Sequence, residues 1–169
     1  MGTTLKNTFQ HTPVLLNECL TGLNINPKGI YVDGTLGGGG HSREILKRLT
    51  TGKLYAFDKD DDALNSTKEK LAEFGNKVEF IKSDFKEMYN VLKDKGVDAV
   101  DGILLDLGVS SYQIDTPERG FSYRFEGFLD MRMDKSNELT AYTVVNTYSK
   151  EDLLRILYNY GEEGLQGLS

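Results

Sequence analysis

A chain of 169 residues is long enough for one globular domain, or for one domain with a small appendage. Its hydrophobic fraction of 38% and charged fraction of 27% are typical of globular proteins in water. No apolar run approaches the roughly 20 residues that a membrane helix needs. The formal net charge of −6 gives no support, from charge alone, to nucleic-acid binding.

The cysteine and histidine content argues against a disulfide framework and against a metal centre. The one cysteine, Cys19, excludes an internal disulfide, which predicts a reducing, cytoplasmic location. Only two histidines are present, and they lie apart from each other and from the cysteine, so no metal site is predicted.

The predicted elements alternate between strands and helices, which indicates an α/β fold with a parallel sheet. Right-handed crossovers give this sheet the strand order 3-2-1-4. The fourth strand is an almost unbroken apolar run, as expected where helices cover both faces of a parallel sheet. The predicted strands are Ile30–Asp33, Lys53–Asp58, Val78–Lys82 and 100–107, and the predicted helices are 14–23, 42–49, 60–74, 86–95, 139–146 and a last one capped by Ser149 and ended by Gly161.

A run of four glycines, residues 37–40, follows the first strand and leads to Ser42, a plausible N-cap for the next helix. Strand, glycine loop and helix together let backbone N–H groups approach a nucleotide-like ligand. The run resembles a dinucleotide fingerprint, but the third glycine position holds Ser42. Asp33, at the strand end, would repel a pyrophosphate and could accept from a cationic amine. A plain tight turn is the alternative.

Acidic residues also end the second and fourth strands. Asp58 follows Gly37 at the offset of about 20 residues at which a carboxylate meets ribose hydroxyls, although a helix N-cap role is the alternative. After the third strand, Asp84 and Phe85 suit an adenine amine and ring, with core packing as the alternative for Phe85. Because the carboxyl ends of parallel strands meet at one edge, Asp33, Asp58 and Asp106 are expected to form one ligand site.

Residues 115–134 lack a regular period and are expected to form an ordered functional loop. Arginines alternate there with aromatic residues, which suits a flipped base and its phosphates. A loop that packs its aromatics under a salt-bridged surface is the alternative. These residues are Arg119, Phe121, Tyr123, Arg124, Phe125, Phe128 and Arg132.

Five motifs, in order, resemble the RsmH/MraW family of S-adenosylmethionine-dependent methyltransferases. That family modifies the exocyclic N4 of a cytidine in small-subunit ribosomal RNA. The resemblance implies a Rossmann-like class I methyltransferase fold, S-adenosylmethionine as cofactor with S-adenosylhomocysteine as product, and ribosomal RNA or the assembled small subunit as partner. The motifs are HTPVLL (11–16), DGTLGGGGHS (33–42), LLDLGVSS (104–111), ERGFS (118–122) and DMRMD (130–134).

The resemblance also implies particular cofactor contacts, of which His41 and Gln113 rest on it alone. The residues themselves add Asp33, Gly37 and Asp84 to the cofactor side. Asp106 is the candidate catalytic group, because it could accept a hydrogen bond from the cytosine amine. The cofactor contacts implied by the family are Gly39, Gly40, His41, Asp58, Phe85, Asp106 and Gln113, and the expected substrate side is Ser110, Ser111, Arg119, Phe121 and Arg132.

The resemblance divides the chain into an arm at residues 1–11, the first half of a cofactor-binding domain at 12–111, and a loop with the start of an inserted helical domain at 112–169. Family members continue beyond this point, so the chain is expected to be truncated and to turn over poorly. The fourth strand would then present an open edge, which predicts a homodimer through that edge or a cover from the region after Ser111.

Two other functions stay open on the sequence. A nicotinamide-dependent oxidoreductase is favoured by the glycines and Asp58, and is opposed by Ser42 at the third glycine position. A non-catalytic chain that binds the cofactor, or nothing, and self-associates is the other.

Overall fold

The computed structural model describes residues 13–161, which form seven α-helices and four β-strands. The chain divides into two compact units between Ser111 and Tyr112. The strands are β1 Ile30–Asp33, β2 Lys53–Asp58, β3 Val78–Lys82 and β4 Gly102–Leu104, and the helices are α1 Leu16–Leu23, α2 Gly40–Arg48, α3 Asp61–Lys70, α4 Met88–Asp94, α5 Ser111–Asp115, α6 Ala141–Thr147 and α7 Lys150–Tyr160.

The sheet lies in the first unit, and all of its strand pairs are parallel in the order β3-β2-β1-β4. In the register, Val32 of β1 lies opposite Tyr55 of β2 and Ile103 of β4. The predicted α/β class and strand order are therefore confirmed.

Two apolar clusters cover the two faces of this sheet. Successive strand residues alternate between them, as the period of two requires. Leu54 and Ala56 belong to one cluster, together with residues of α1, α2 and α3, while Tyr55 and Phe57 belong to the other, together with Leu92 of α4. This alternation buries β2 on both sides, and it leaves the carboxyl ends of the strands as the place where polar side chains gather.

The fourth strand is shorter than predicted. It ends at Leu104, where the Gly34 amide donates to the Leu104 carbonyl oxygen at 2.9 Å. Beyond that bond the chain leaves the β1 ladder, and the Leu105 and Leu107 side chains are 45% and 68% exposed. Ile103, within the strand, is 49% exposed. The expectation of a doubly covered strand over residues 100–107 is thus wrong, because apolar composition alone does not supply a covering layer.

Several helix boundaries also differ from the predictions. The helix α2 begins at Gly40 with Gly39 as its N-cap, and Ser42, the predicted cap, lies buried inside the helix. The helix α3 ends at Lys70 and a 3-10 turn follows over Ala72–Lys77, so the predicted continuation to residue 74 is wrong. A second 3-10 turn, Phe85–Glu87, precedes α4.

The second unit begins within the short helix α5 and contains α6 and α7. Thr140 caps α6, because its hydroxyl accepts the Thr143 amide at 3.1 Å. Ser149 caps α7 in the same way through the Asp152 amide, as the sequence predicts. Across residues 13–161, no helix combines the length and apolarity needed to cross a membrane.

Two glycines, Gly102 in β4 and Gly22 in α1, predict opposite effects of adding one methyl group. A Cβ on Gly102 would lie 2.8 Å from Leu23 Cδ2 and 3.0 Å from the Tyr31 ring, whereas a Cβ on Gly22 in α1 has no atom within 4 Å. Gly102→Ala should therefore lower the free energy of unfolding by about 1–3 kcal/mol. Gly22→Ala should raise it by up to about 1 kcal/mol, because alanine favours the helix. Urea unfolding of both variants checks this, and a Gly102→Ala chain as stable as the native one contradicts the packing described for β4.

Candidate functional site

The loop between β1 and α2 is held by hydrogen bonds to both the amide and the carbonyl oxygen of Gly37. The Gly37 amide donates to Asp58 Oδ2 at 2.8 Å, and the Gly37 carbonyl oxygen accepts from Thr67 Oγ1 at 2.8 Å. Gly37 and Gly39 have backbone φ angles of +48° and +78°, which residues other than glycine rarely adopt. The loop conformation is therefore fixed by β2 and α3, not by the loop alone.

The glycine run divides into an open part and a packed part. A Cβ on Gly38 would have no atom within 4 Å, and one on Gly37 would lie 3.7 Å from its nearest atom. A Cβ on Gly39 would instead collide with the Thr67 side chain, and one on Gly40 with the ring of a proline. The open space is therefore on the side of Gly37 and Gly38, of which only Gly37 is among the predicted cofactor contacts.

Asp33 is an internal anchor of this loop. Its side chain is buried, with the residue 1% exposed, and Oδ1 accepts the Thr35 amide at 3.1 Å while Oδ2 accepts Ser42 Oγ at 2.7 Å. Burial raises the pKa of the Asp33 carboxyl, and the hydrogen bonds from Ser42 and Thr35 oppose that rise. Ser42, expected as a helix cap, thus supplies a hydroxyl to the buried acid.

Asp58 is half-buried at the end of β2, and both of its carboxylate oxygens accept backbone amides. Oδ2 accepts Gly37 N at 2.8 Å and Oδ1 accepts Asp60 N at 2.9 Å. Each oxygen retains a lone pair for a further donor, as two neighbouring hydroxyls would require. The N-cap of α3 is Asp60, which accepts the Asp62 amide, so the alternative that Asp58 is the cap is wrong.

Burial also raises the pKa of the Asp58 carboxyl, whereas the next acid along the sheet behaves in the opposite way. Asp84 accepts the Lys86 amide at 3.1 Å, and its second oxygen lies 3.4 Å from Lys59 Nζ. The Lys86 hydrogen bond is the main cause that lowers the pKa of Asp84. Phe85 follows, half-buried, with its Cβ beside Gly34 at the start of the glycine loop.

Asp106 lies just beyond β4, and its side chain is 49% exposed. Its amide donates to Thr35 Oγ1 at 2.7 Å, and its Oδ2 lies 4.0 Å from His41 Nδ1. His41 is buried, and its Nε2 lies 3.0 Å from the Val14 carbonyl oxygen, so that nitrogen must carry the hydrogen. Asp106 and His41 are therefore neighbours, as the two motifs that contain them suggest.

The structure thus gathers the predicted acids around one loop, through three hydroxyl residues that were not predicted to act at the site. Gly37 bonds to Asp58, and the Asp33 carboxyl and the Asp106 amide both bond to Thr35. The Thr35 hydroxyl accepts the Asp106 amide, the Ser42 hydroxyl donates to Asp33, and the Thr67 hydroxyl donates to the Gly37 carbonyl oxygen. Nothing in the spacing of these three residues marks them. Within residues 13–161, no group of three or more His, Cys, Asp or Glu side chains is placed to hold a metal ion.

The predicted arginines of the second unit have protein partners. Arg119 is 2% exposed and donates to the carbonyl oxygens of Arg132 and Met133 at 2.8 and 3.2 Å, and its guanidinium lies 5.9 Å from the Phe121 ring centre. Arg132 forms a bidentate ion pair with Asp130, with N–O distances of 2.7 and 2.8 Å. A phosphate contact by either arginine would require these hydrogen bonds to be exchanged.

Exposed aromatic side chains lie close in sequence to a more accessible arginine in the same unit, and the Phe125 ring centre is 6.0 Å from its guanidinium. Arg124 lies 3.6 Å from Asp115 in an ion pair whose two side chains are both more than half exposed. Tyr123 and Phe125 are exposed, and so is Phe128. The other predicted residues lie near the start of α5: Ser110 and Ser111 are half-buried, and Gln113 is buried.

Comparison with known proteins shows a strong likeness over nearly the whole chain. A sequence model of the MraW methylase family matches residues 8–166. Ribosomal RNA small subunit methyltransferase H of Finegoldia magna is 57% identical over 155 residues, which are 92% of this chain and 50% of that protein. The protein of the same name from Exiguobacterium sibiricum gives 57% identity over 155 residues, with the same coverage of 92% and 50%. The chain spans about half the length of these curated relatives.

Among solved structures, a SAM-dependent O-methyltransferase from Thermotoga maritima matches with a TM-score of 0.47 at 18% identity. The match covers 60% of this chain and 38% of that one.

The buried Asp33 predicts a pH dependence of stability with a definite sign. Because the pKa of Asp33 is raised in the folded chain, the unfolded chain loses the Asp33 proton first as pH rises above 3.8. The free energy of unfolding of the native chain therefore decreases over this range. Asp33→Asn removes that titration. The free energy of unfolding of Asp33→Asn, relative to the native chain, should therefore increase as pH rises from 3.8.

Asp84→Asn is the matched control, because the pKa of Asp84 is lowered in the folded chain. The free energy of unfolding of the native chain should therefore increase relative to that of this variant as pH rises. Any hydrogen bond lost on the change to asparagine adds an offset that does not vary with pH. Urea unfolding at a series of pH values measures both slopes, and parallel slopes for the two variants contradict the assignment.

Proposed function

Because the chain belongs to the MraW methylase family, we propose that it binds S-adenosylmethionine and takes part in methylating the exocyclic N4 of a cytidine in small-subunit ribosomal RNA. The observation that carries the proposal is the glycine loop, whose Gly37 peptide is fixed by Asp58 while Gly38 faces open space. The relatives named as ribosomal RNA small subunit methyltransferases are matched along half of their length, and that half contains the loop.

The residues of the first unit fit such a cofactor. The spare lone pairs of Asp58 suit the two hydroxyls of a ribose. The open space beside Gly37 and Gly38 leaves room for the cofactor to approach the loop backbone. Asp84 and Phe85 are proposed for the adenine, where Phe85 offers a half-buried ring. Asp33, Gly39, Gly40 and His41 support the loop and stay predicted cofactor contacts, as does Gln113 in the second unit.

Asp106 stays a predicted cofactor contact and is also the proposed group for the chemistry. The cofactor supplies an electrophilic methyl group when it is bound. A cytosine amine is a weak nucleophile because its lone pair is delocalised into the ring, so positioning is the main contribution that a site can make. The half-exposed Asp106 carboxylate can accept a hydrogen bond from that amine and stabilise the positive charge that develops on its nitrogen.

The second unit is the proposed RNA side. Exposed aromatic rings stack on unpaired bases, and exposed arginines pair with phosphates. Tyr123, Phe125 and Arg124 combine these two properties. We propose that Arg119 and Arg132 hold the segment that presents Phe121 and its neighbours, while Ser110 and Ser111 stay predicted substrate contacts.

The open edge of β4 supports a homodimer as a further proposal. β4 pairs with β1 on one side, and Ile103 and Leu105 are about half exposed. Edges of this kind are templates for pairing with another chain. Light scattering between micromolar and submillimolar protein is expected to show a mass that rises toward twice the chain mass, and a constant monomer mass contradicts the proposal.

The cofactor assignment predicts a loss of binding in Asp58→Ala. Calorimetric titration with S-adenosylhomocysteine should show binding to the native chain that weakens by about 1–3 kcal/mol in the variant, the range for a lost charged hydrogen bond. Asp61→Ala is the control, because Asp61 is an exposed acid on the same segment whose partner is Lys82. Equal affinity in the native chain and in Asp58→Ala contradicts the ribose assignment.

A titration with NAD and an assay of methyl transfer separate the competing functions. A chain that binds NAD but not S-adenosylhomocysteine would be an oxidoreductase-like protein. Incubation with S-adenosylmethionine and unmethylated small subunits, followed by mass spectrometry of the nucleosides, should show N4-methylcytidine. Cofactor binding with no methylated cytidine would support the non-catalytic alternative.

A further inference from the structure

We propose that Thr35 is a positioning residue, whose hydroxyl sets the place of Asp106 beside the glycine loop. The hydroxyl oxygen of Thr35 accepts the Asp106 amide at 2.7 Å. The inference rests on the proposed function, since the Asp106 carboxylate is the group being positioned.

The bond occurs where the β1–β4 ladder stops. The Gly34 amide donates to the Leu104 carbonyl oxygen at 2.9 Å. In a regular parallel ladder the next bond would run from the Asp106 amide to the Gly34 carbonyl oxygen. In this structure the Asp106 amide donates to the Thr35 side chain instead. The Thr35 hydroxyl therefore replaces a backbone acceptor at the point where the two chains diverge.

Thr35 is itself fixed to the interior of the unit. Its amide donates to Asp33 Oδ1 at 3.1 Å, and the other oxygen of Asp33 accepts Ser42 Oγ of α2 at 2.7 Å. Asp33 and Ser42 are both buried. A continuous path of hydrogen bonds thus runs from α2, through a buried carboxyl and Thr35, to the main chain of Asp106.

The Asp106 segment has little packing of its own. Leu105 and Leu107, on either side, are 45% and 68% exposed. Gly108 follows with a φ angle of +135° and open space around its Cα. The Leu105 side chain does fill the space above Gly34, which keeps the two chains close. Because the only apolar packing described for this segment is the half-exposed Leu105, the Thr35 hydrogen bond is the main contact that places the Asp106 carboxylate relative to His41 and the loop.

A double-mutant cycle tests the proposal. Thr35→Val should weaken S-adenosylhomocysteine binding by about fivefold to tenfold, the effect of one hydrogen bond. Thr35→Ser keeps the hydroxyl and should stay within about twofold of the native chain. Asp106→Ala should weaken binding as well, and the double variant Thr35→Val, Asp106→Ala should be no weaker than Asp106→Ala alone. Additive losses, or equal losses in Thr35→Ser and Thr35→Val, overturn the inference.

Hydrogen exchange of the Asp106 amide gives a second readout that needs no ligand. In the native chain and in Thr35→Ser this amide should be protected, and in Thr35→Val it should exchange faster while the β1 amides keep their protection. An unprotected Asp106 amide in the native chain overturns the positioning role. A native chain that binds no S-adenosylhomocysteine, with the exchange pattern intact, overturns the proposed function and leaves the Thr35 hydrogen bond established.

Discussion

The hydrogen bond from the Gly37 amide to the Asp58 carboxylate is the interaction on which the site depends. It joins the loop after β1 to the end of β2 at 2.8 Å, while Thr67 of α3 holds the carbonyl oxygen of the same residue. The amide and the carbonyl oxygen of this glycine are both bound by neighbouring elements, which restricts the conformations open to the loop before a ligand binds. Such preorganisation reduces the entropy that binding must overcome.

The same arrangement explains why acids, not apolar residues, end these strands. Parallel strands deliver their carboxyl ends to one edge, and the loops that leave this edge have amides that need acceptors. Asp33 and Asp58 satisfy four such donors between them, three backbone amides and one hydroxyl. Burial raises the pKa of both carboxyls, so the edge accepts a thermodynamic cost at neutral pH in order to hold the loops.

Much of this fold follows from local patterns. The first three strands have the predicted bounds, because their β-branched and aromatic residues lie between clear turn signals. The strand order follows from the handedness of the crossovers. The role of Ser149 as the N-cap of α7 follows from the capping pattern. The length of β4 could not be predicted, because residues 100–107 are apolar throughout and only the absence of a covering layer separates strand from exposed loop.

The site residues divide in the same way. Asp33, Asp58 and Asp106 are marked by their place at strand ends, whereas Thr35 and Thr67 act through contacts between segments distant in the chain. The burial of Arg119 also could not be predicted from the sequence, because it depends on hydrogen bonds to the carbonyl oxygens of Arg132 and Met133. Alternation of arginines with aromatic residues fits an internal packing role and an RNA-facing role equally well at the level of sequence.

The central claim is that this edge of the sheet binds S-adenosylmethionine or its product. Amide chemical shifts of the 169-residue chain, followed by NMR during titration with S-adenosylhomocysteine, test it most directly. The account predicts that the largest changes fall on the amides of Gly37, Gly38 and Phe85, while those of α7 stay in place. Absence of changes, or changes confined to residues away from the glycine loop, would contradict it.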